Sequence, residues 1–272
     1  MFGALVKTYF AKEYDIDPSK IVCVSVMPCT AKKFEARRPE MNDSGYQDVD
    51  YVLTTREFIR MIKEAGINFS TIEEVEAENL MGRYTGAGTI FGATGGVMEA
   101  AVRSAYFLLT GENLPNLDVE IVRGMEGIKE AELVIPTKEF GDLPIKVAVV
   151  HGLGNTRELL NKIRKQIEET GKTEYGFIEV MACPGGCVGG GGQPYGSDLA
   201  RRARRGEGLY KEDKSMVMRQ SHENPSVMGE DGIYAKFLGE PGSGKAHKLL
   251  HTSYWERNIN RGQAVKQVTH KH

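Results

Sequence analysis

The chain has 272 residues, 40% of them hydrophobic and 26% charged, with a net charge of −2. That is an ordinary globular composition, large enough for one large domain or two modest ones, and it gives no electrostatic case for nucleic acid or an anionic membrane as partner. No apolar run reaches membrane-spanning length and no signal peptide is visible, and four cysteines are too few for disulfide stapling, so a reducing, cytoplasmic setting is expected.

Residues 2–14 place Phe2, Leu5, Val6, Tyr9 and Phe10 at helical spacing. The pattern starts at the second residue with no capping Ser, Thr, Asp or Asn before it, as expected of a chain whose earlier part is missing. Ile21 to Val26 reads as a short buried strand with Cys23 as a small apolar core residue. Pro28 has no N–H for a ladder, so the strand stops there and leaves Cys29 at its carboxyl mouth, where α/β folds gather ligand sites. Lys32 follows as a cation placed to meet an anionic group near Cys29; without that cysteine it would read as a solvated lysine. Glu35 stays open between a surface charge and a partner of the site.

Val49 to Leu53 reads as a strand. Thr54 and Glu57 form a capping-box pattern for a helix carrying Phe58, Ile59 and Ile62 and closed by Gly66. Residues 70–80 are acidic and read as a solvated face. The glycine-rich stretch 86–96 lacks Gly-x-Gly-x-x-Gly spacing and a clear preceding strand, so it reads as the close-packed start of a helix over 97–109, set against a cofactor rather than a phosphate. Val119 to Arg123, Leu133 to Ile135 and Ile145 to Val150 read as strands. Asn155 and Glu158 read as the cap of a helix with a buried stripe of Leu159, Ile163 and Ile167, ended by Gly171. Residues 144–183 then form a parallel strand–helix–strand unit.

The strand from Tyr175 breaks into Cys183-Pro184-Gly185-Gly186-Cys187 and a glycine run, Gly189 to Gly192. Two thiolates four positions apart suit an iron–sulfur cluster, and backbone free of Cβ atoms lets amides approach its sulfides. The competing readings are a glycine loop with two buried cysteines, and a zinc site, which usually needs Cys-x2-Cys and a second pair. Beyond Ser197 the composition changes. Arg201, Arg202, Arg204 and Arg205 form a basic cluster, 206–262 reads as a small, mostly helical extension, and the tail 263–272 is unassigned.

Taken together, Met27-Pro28-Cys29 with Lys32 and Glu35, and Glu179 with Met181-Ala182-Cys183 and Cys187, resemble the second and third signature segments of the iron-only (FeFe) hydrogenases. The stretch from Phe91 to Ala100 is similar to that family too, and 240–251 is similar to its small-subunit-type region. The resemblance implies an α/β fold with parallel-sheet lobes and flanking helices around a buried iron–sulfur site. It divides the chain into an H-cluster domain, 1–205, a small-subunit-like helical extension, 206–262, and the tail. It implies that Cys29, Cys183 and Cys187 ligate the 4Fe–4S part of the H-cluster. Cys187 would also bridge to a two-iron subsite carrying CO, cyanide and a bridging dithiolate. Lys32 would hydrogen-bond a cyanide, and with Cys187 makes the catalytic pair. Met27, Pro28, Phe91, Met181, Gly185 and Gly186 would contact the cofactor.

The implied activity is reversible reduction of protons to dihydrogen, with ferredoxin or a redox subunit, including an NAD(P)-linked one, as electron partner and maturation proteins to install the cofactor. The family's first signature, a Thr-Ser-Cys-Cys-Pro segment with the fourth cluster ligand and the proton-delivering thiol, has no counterpart here, and Cys23 is a poor substitute. The chain is therefore expected to be a fragment or split-gene product, with the missing cysteine pair on a separate chain. The alternative is a non-catalytic iron–sulfur cluster-binding, sensory or assembly relative of hydrogenases.

Overall fold

The computed structural model describes residues 1–76, 78–137, 141–257 and 264–267. Two compact units divide the chain: Met1–Met81 with Glu230–His272, and Gly82–Gly229. The expected α/β class holds, with sheets that are small.

In the first unit, helix α1 runs through Phe2–Leu5, a π turn Val6–Phe10 and Ala11–Glu13. Its buried side carries Gly3, Ala4, Val6, Lys7 and Ala11 rather than the expected aromatic stripe, and Phe2 is exposed. Close approach and charge decide this. A Cβ on Gly3 would stand 2.0 Å from the Asp48 carbonyl oxygen, and Lys7 Nζ lies 2.7 Å from Asp50 Oδ2. Ala4 packs with Leu238, Ala246 and Leu249 in this unit's apolar core.

Strand β1 (Val24–Met27) stops before Pro28, as the missing N–H demands, and pairs in parallel with β2 (Tyr51–Thr54). It starts later than expected because the Cys23 N–H donates to Asp50 Oδ2 at 2.7 Å. Nor is it buried, since Val24 and Val26 are about half exposed on a two-stranded sheet. Helix α2 (Ala31–Glu35) follows β1, and α3 (Thr55–Glu64) follows β2. The capping box on α3 is formed as read: Glu57 N–H donates to Thr54 Oγ1, and Thr54 N–H donates to the Glu57 carboxylate at 2.8 Å. Of the tail, only 264–267 fall among the described residues, where Ala264–Gln267 pairs antiparallel with Trp255–Arg257.

The second unit opens with a separate helix α4 (Gly86–Ile90) within the stretch read as the start of the helix over 97–109; Thr85 caps it by accepting from Gly88 N–H. Helix α5 (Gly96–Thr110) follows. Strands β3 (Ile128–Thr137), β4 (Gly141–His151) and β5 (Tyr175–Met181) form one sheet in that order, β3 antiparallel and β5 parallel to β4. Helix α6 (Leu153–Thr170) links β4 to β5, and Gly171 in left-handed conformation ends it.

Two expectations fail here. The strand read at Val119 to Arg123 is a 3-10 turn, Glu120–Val122, which buries Val122 beside Met98 and Val149. The cap of α6 is Gly152, not Asn155: Gly152 N–H closes onto the Met181 carbonyl at 2.8 Å, and Asn155 Nδ2 turns back to the His151 carbonyl. Leu159 and Ile163 are buried on α6 as read, while Ile167 is 45% exposed. Helix α7 (Leu199–Ser215) runs without a break through residues 205 and 206.

Candidate functional site

The expected site residues fall on two separate local structures, one in each unit. In the first, β1 delivers Met27, Pro28 and Cys29, all half-buried, and α2 carries Lys32 one turn on. Lys32 Nζ donates to both carboxylate oxygens of Glu35, at 2.8 and 2.6 Å, so Glu35 is the partner of Lys32. Both side chains are more than a third exposed, which makes the pair worth about 0–1 kcal/mol. They line a small cavity of about 40 Å³ with Ser25, Met41, Val49 and Val52. Cys23 sits elsewhere in chemistry as well as in sequence: burial pushes its thiol pKa up, away from a thiolate.

In the second unit, β5 delivers Met181 and Cys183 to a turn that closes on itself. Gly186 N–H donates to the Cys183 carbonyl at 2.9 Å, and Gly190 N–H to the Cys187 carbonyl at 2.9 Å. The turn is tied to the segment before α5: Thr94 N–H donates to the Gly185 carbonyl at 3.1 Å, and Val188 N–H to the Gly92 carbonyl at 3.0 Å. Gly186 has φ of +89°, and a Cβ there would stand 2.7 Å from Thr94 N, so glycine is required by backbone meeting backbone. At Gly185 the nearest atom is the Met125 methyl, a flexible tip, and it is the φ of +84° that favours glycine. Cys183 is half-buried, Cys187 is exposed, and no disulfide joins the four cysteines. Phe91, next to Gly92, is 45% exposed. Two accessible thiols on a fixed turn suit the donor chemistry of an iron–sulfur cluster.

Several residues that hold this turn carry no assigned role at the level of sequence. Glu179, buried on β5, accepts from Gly95 N–H at 2.6 Å and Met98 N–H at 2.7 Å, capping α5 from across the unit. Burial pushes its pKa up, against those two bonds. Its spacing before Met181 and Cys183 was visible, but the partner amides, more than 80 positions away, were not. Behind it, α5 presents Glu99 and Arg103, both fully buried. Arg103 bridges Glu99 at 2.7 Å and Asp213 of α7 at 2.8 Å, and Arg123 and Arg219 complete the network with Asp118. The three carboxylates converge like cation ligands, but guanidinium groups already fill that role. A Glu–Arg pair four apart on a helix was the signal available. A cavity of about 340 Å³ backs the turn, with Thr94, Arg123, Met125, Gly185 and Tyr210 in its wall. The Thr94 and Tyr210 hydroxyls are buried without a hydrogen-bond partner among the described residues. Water suits them.

Comparison with known proteins divides the chain at a different place from the two units. Residues 1–191 match the family model for the iron-only hydrogenase large subunit, C-terminal domain, and residues 199–257 match that for the iron hydrogenase small subunit. The chain is 48% identical over 258 residues to the NADP-reducing hydrogenase subunit HndD of Solidesulfovibrio fructosivorans, covering 94% of this chain and 42% of that protein. It is 33% identical over 274 residues to the cytosolic iron–sulfur assembly component 3 of Rattus norvegicus, covering 98% of this chain and 54% of that one. A solved FeFe-hydrogenase from Chlamydomonas reinhardtii superposes with a TM-score of 0.75 at 41% identity, over 92% of this chain and 67% of its own. The chain thus spans less than half of the first relative's length. Among the described residues no helix is long and apolar enough to cross a membrane. With one family model covering 1–191 and the companion small-subunit model covering 199–257, the chain belongs to the iron-only hydrogenases.

Proposed function

We propose that the chain contributes the iron–sulfur-binding part of an FeFe-hydrogenase, with Cys29, Cys183 and Cys187 as thiolate ligands. When bound, the H-cluster, a 4Fe–4S cubane with a two-iron subsite bearing CO, cyanide and a dithiolate, supplies reversible reduction of two protons by two electrons to dihydrogen. The chain's own residues have simpler tasks. Cys187 would also help to hold the two-iron subsite. Lys32, with two of its three N–H donors on Glu35, keeps the third for a cyanide ligand. Met27, Pro28, Phe91 and Met181 shield the cofactor from water, and Gly185 and Gly186 let the turn close beneath it. Ferredoxin or a redox subunit, including an NAD(P)-linked one, is the electron partner. Maturation proteins install the two-iron subsite, and a cysteine pair outside residues 1–272 supplies the fourth ligand and the proton-delivering thiol. The cytoplasm, where thiols stay reduced, is the proposed location.

The observation that carries this reading is the turn itself: two accessible thiols on backbone fixed by the 92–94 segment. The second reading, a cluster-binding assembly relative without the two-iron subsite, draws on the 33% identity to an assembly component across nearly the whole chain. Infrared spectra after anaerobic expression with the maturation machinery separate the two, because bound CO and cyanide absorb where protein does not. The hydrogenase reading predicts those bands in the parent and their loss in Lys32→Met with the cubane retained. A parent with a cubane and no such bands decides for the assembly reading.

A further inference from the structure

The arginines at the start of α7 do not form a solvated basic patch. Three of the four, Arg201, Arg202 and Arg205, turn their guanidinium groups back onto the loop over 184–197. Val188, the residue after Cys187, is held on both sides: its N–H by the Gly92 carbonyl, and its own carbonyl by Arg205 Nη1 at 3.0 Å. Pro184, the residue after Cys183, offers its carbonyl to Arg202 Nη1 at 3.5 Å. Further along, Arg202 Nη2 donates to the Ser197 carbonyl at 3.1 Å, and Arg205 Nη1 donates to Ser197 Oγ at 3.2 Å. The fit is close, since a Cβ on Gly189 would stand 2.1 Å from the Pro184 carbonyl oxygen and 3.1 Å from Arg202 Cδ. Arg204, on the same helix, is exposed and makes no hydrogen bond among the described residues.

We propose that Arg202 and Arg205 are positioning residues, through which the small-subunit-type helix α7 sets the geometry of the Cys183–Cys187 turn and of a cluster held on it. A carbonyl that accepts from a guanidinium cannot rotate without losing a charge-assisted bond, so each cysteine is followed by an anchored peptide. This rests on the reading of Cys183 and Cys187 as ligands.

The test uses the full chain as Arg205→Ala, Arg205→Lys, Arg202→Ala and, as control, Arg204→Ala. Hydrogen exchange over 184–197 in the metal-free protein should quicken ~10-fold in the two Ala variants at 202 and 205. Arg205→Lys, which keeps the cation, should recover part of the protection, and Arg204→Ala should match the parent. Exchange in β3–β5 should stay unchanged in all four, which separates loop release from general misfolding. After anaerobic reconstitution with ferric iron, sulfide and excess small thiol, which fills the fourth position, the reduced cluster of Arg205→Ala should give an altered electron paramagnetic resonance spectrum and release iron to a chelator several-fold faster. Unchanged exchange, or faster exchange with the parent's spectrum and iron-release rate, would overturn the positioning role. A parent that takes up no cluster would overturn the ligand reading instead, and the exchange data would still decide whether α7 orders the turn.

Discussion

Cys187 lies in a turn whose neighbouring peptides are tied to buried backbone on one side and to arginines on the other. Cys29 lies between a strand that is half open to solvent and a short helix whose two ion pairs, Lys32–Glu35 and Lys33–Glu57, are more than a third exposed. Each sits in a glycine- or proline-marked break after a strand, but they differ in what would have to give way for the thiol to move. The first turn is fixed by a buried frame: Glu179 capping α5, and the Glu99–Arg103–Asp213 bridge joining α5 to α7. The second depends on local bonds that water can replace. Sequence motifs of equal clarity can therefore mark sites of unequal rigidity.

Breaking the buried frame should have the largest effect. Arg103→Met leaves Glu99 and Asp213 short of a fully buried cation and should cost about 3–5 kcal/mol in urea unfolding. A loss under 1 kcal/mol would mean that Arg123 and Arg219 carry the network alone. Next comes pH. Lys129, buried and bonded to the Gly124 carbonyl at 2.8 Å, is pushed down by burial to about 8 from an ordinary 10.5. Between those values the unfolded chain holds a proton that the folded chain has released, so stability should rise with pH, by on the order of 3 kcal/mol. Below that window both states are protonated and the penalty is constant. Lys129→Met should abolish the rise, as measured by urea midpoints on either side of the window. The smallest effect belongs to the first unit, where Thr54→Ala removes one half of the capping box on α3 and should cost ~1 kcal/mol, read from the same unfolding curves.

Local rules account for what the chain disclosed beforehand. The Thr54/Glu57 box, the stop at Pro28 and the end of α6 at Gly171 each depend on residues within four positions of one another, and each forms as read. The failures share a different cause. Gly152 rather than Asn155 starts α6 because a peptide of β5 claims its N–H. The segment around Val122 turns instead of extending because it packs into the core beneath α5. The stripe on α1 rotates because Lys7 seeks Asp50, 43 residues away. The proposed roles of the cysteines and Lys32 rest on motifs that are visible in the sequence. Glu179, Arg202 and Arg205 were not, because their partners are backbone groups that only the folded chain brings near.

The central claim is that Cys183 and Cys187 ligate an iron–sulfur cluster and Cys23 does not. The most direct measurement is iron and sulfide content, with the visible absorbance, of the full chain after anaerobic reconstitution with excess small thiol standing in for the fourth ligand, in the parent and in Cys183→Ala, Cys187→Ala and Cys23→Ala. The account predicts a bound cluster in the parent, its loss in the first two variants and its retention in Cys23→Ala. Equal loss in Cys23→Ala, or a cluster that survives Cys187→Ala, would contradict it.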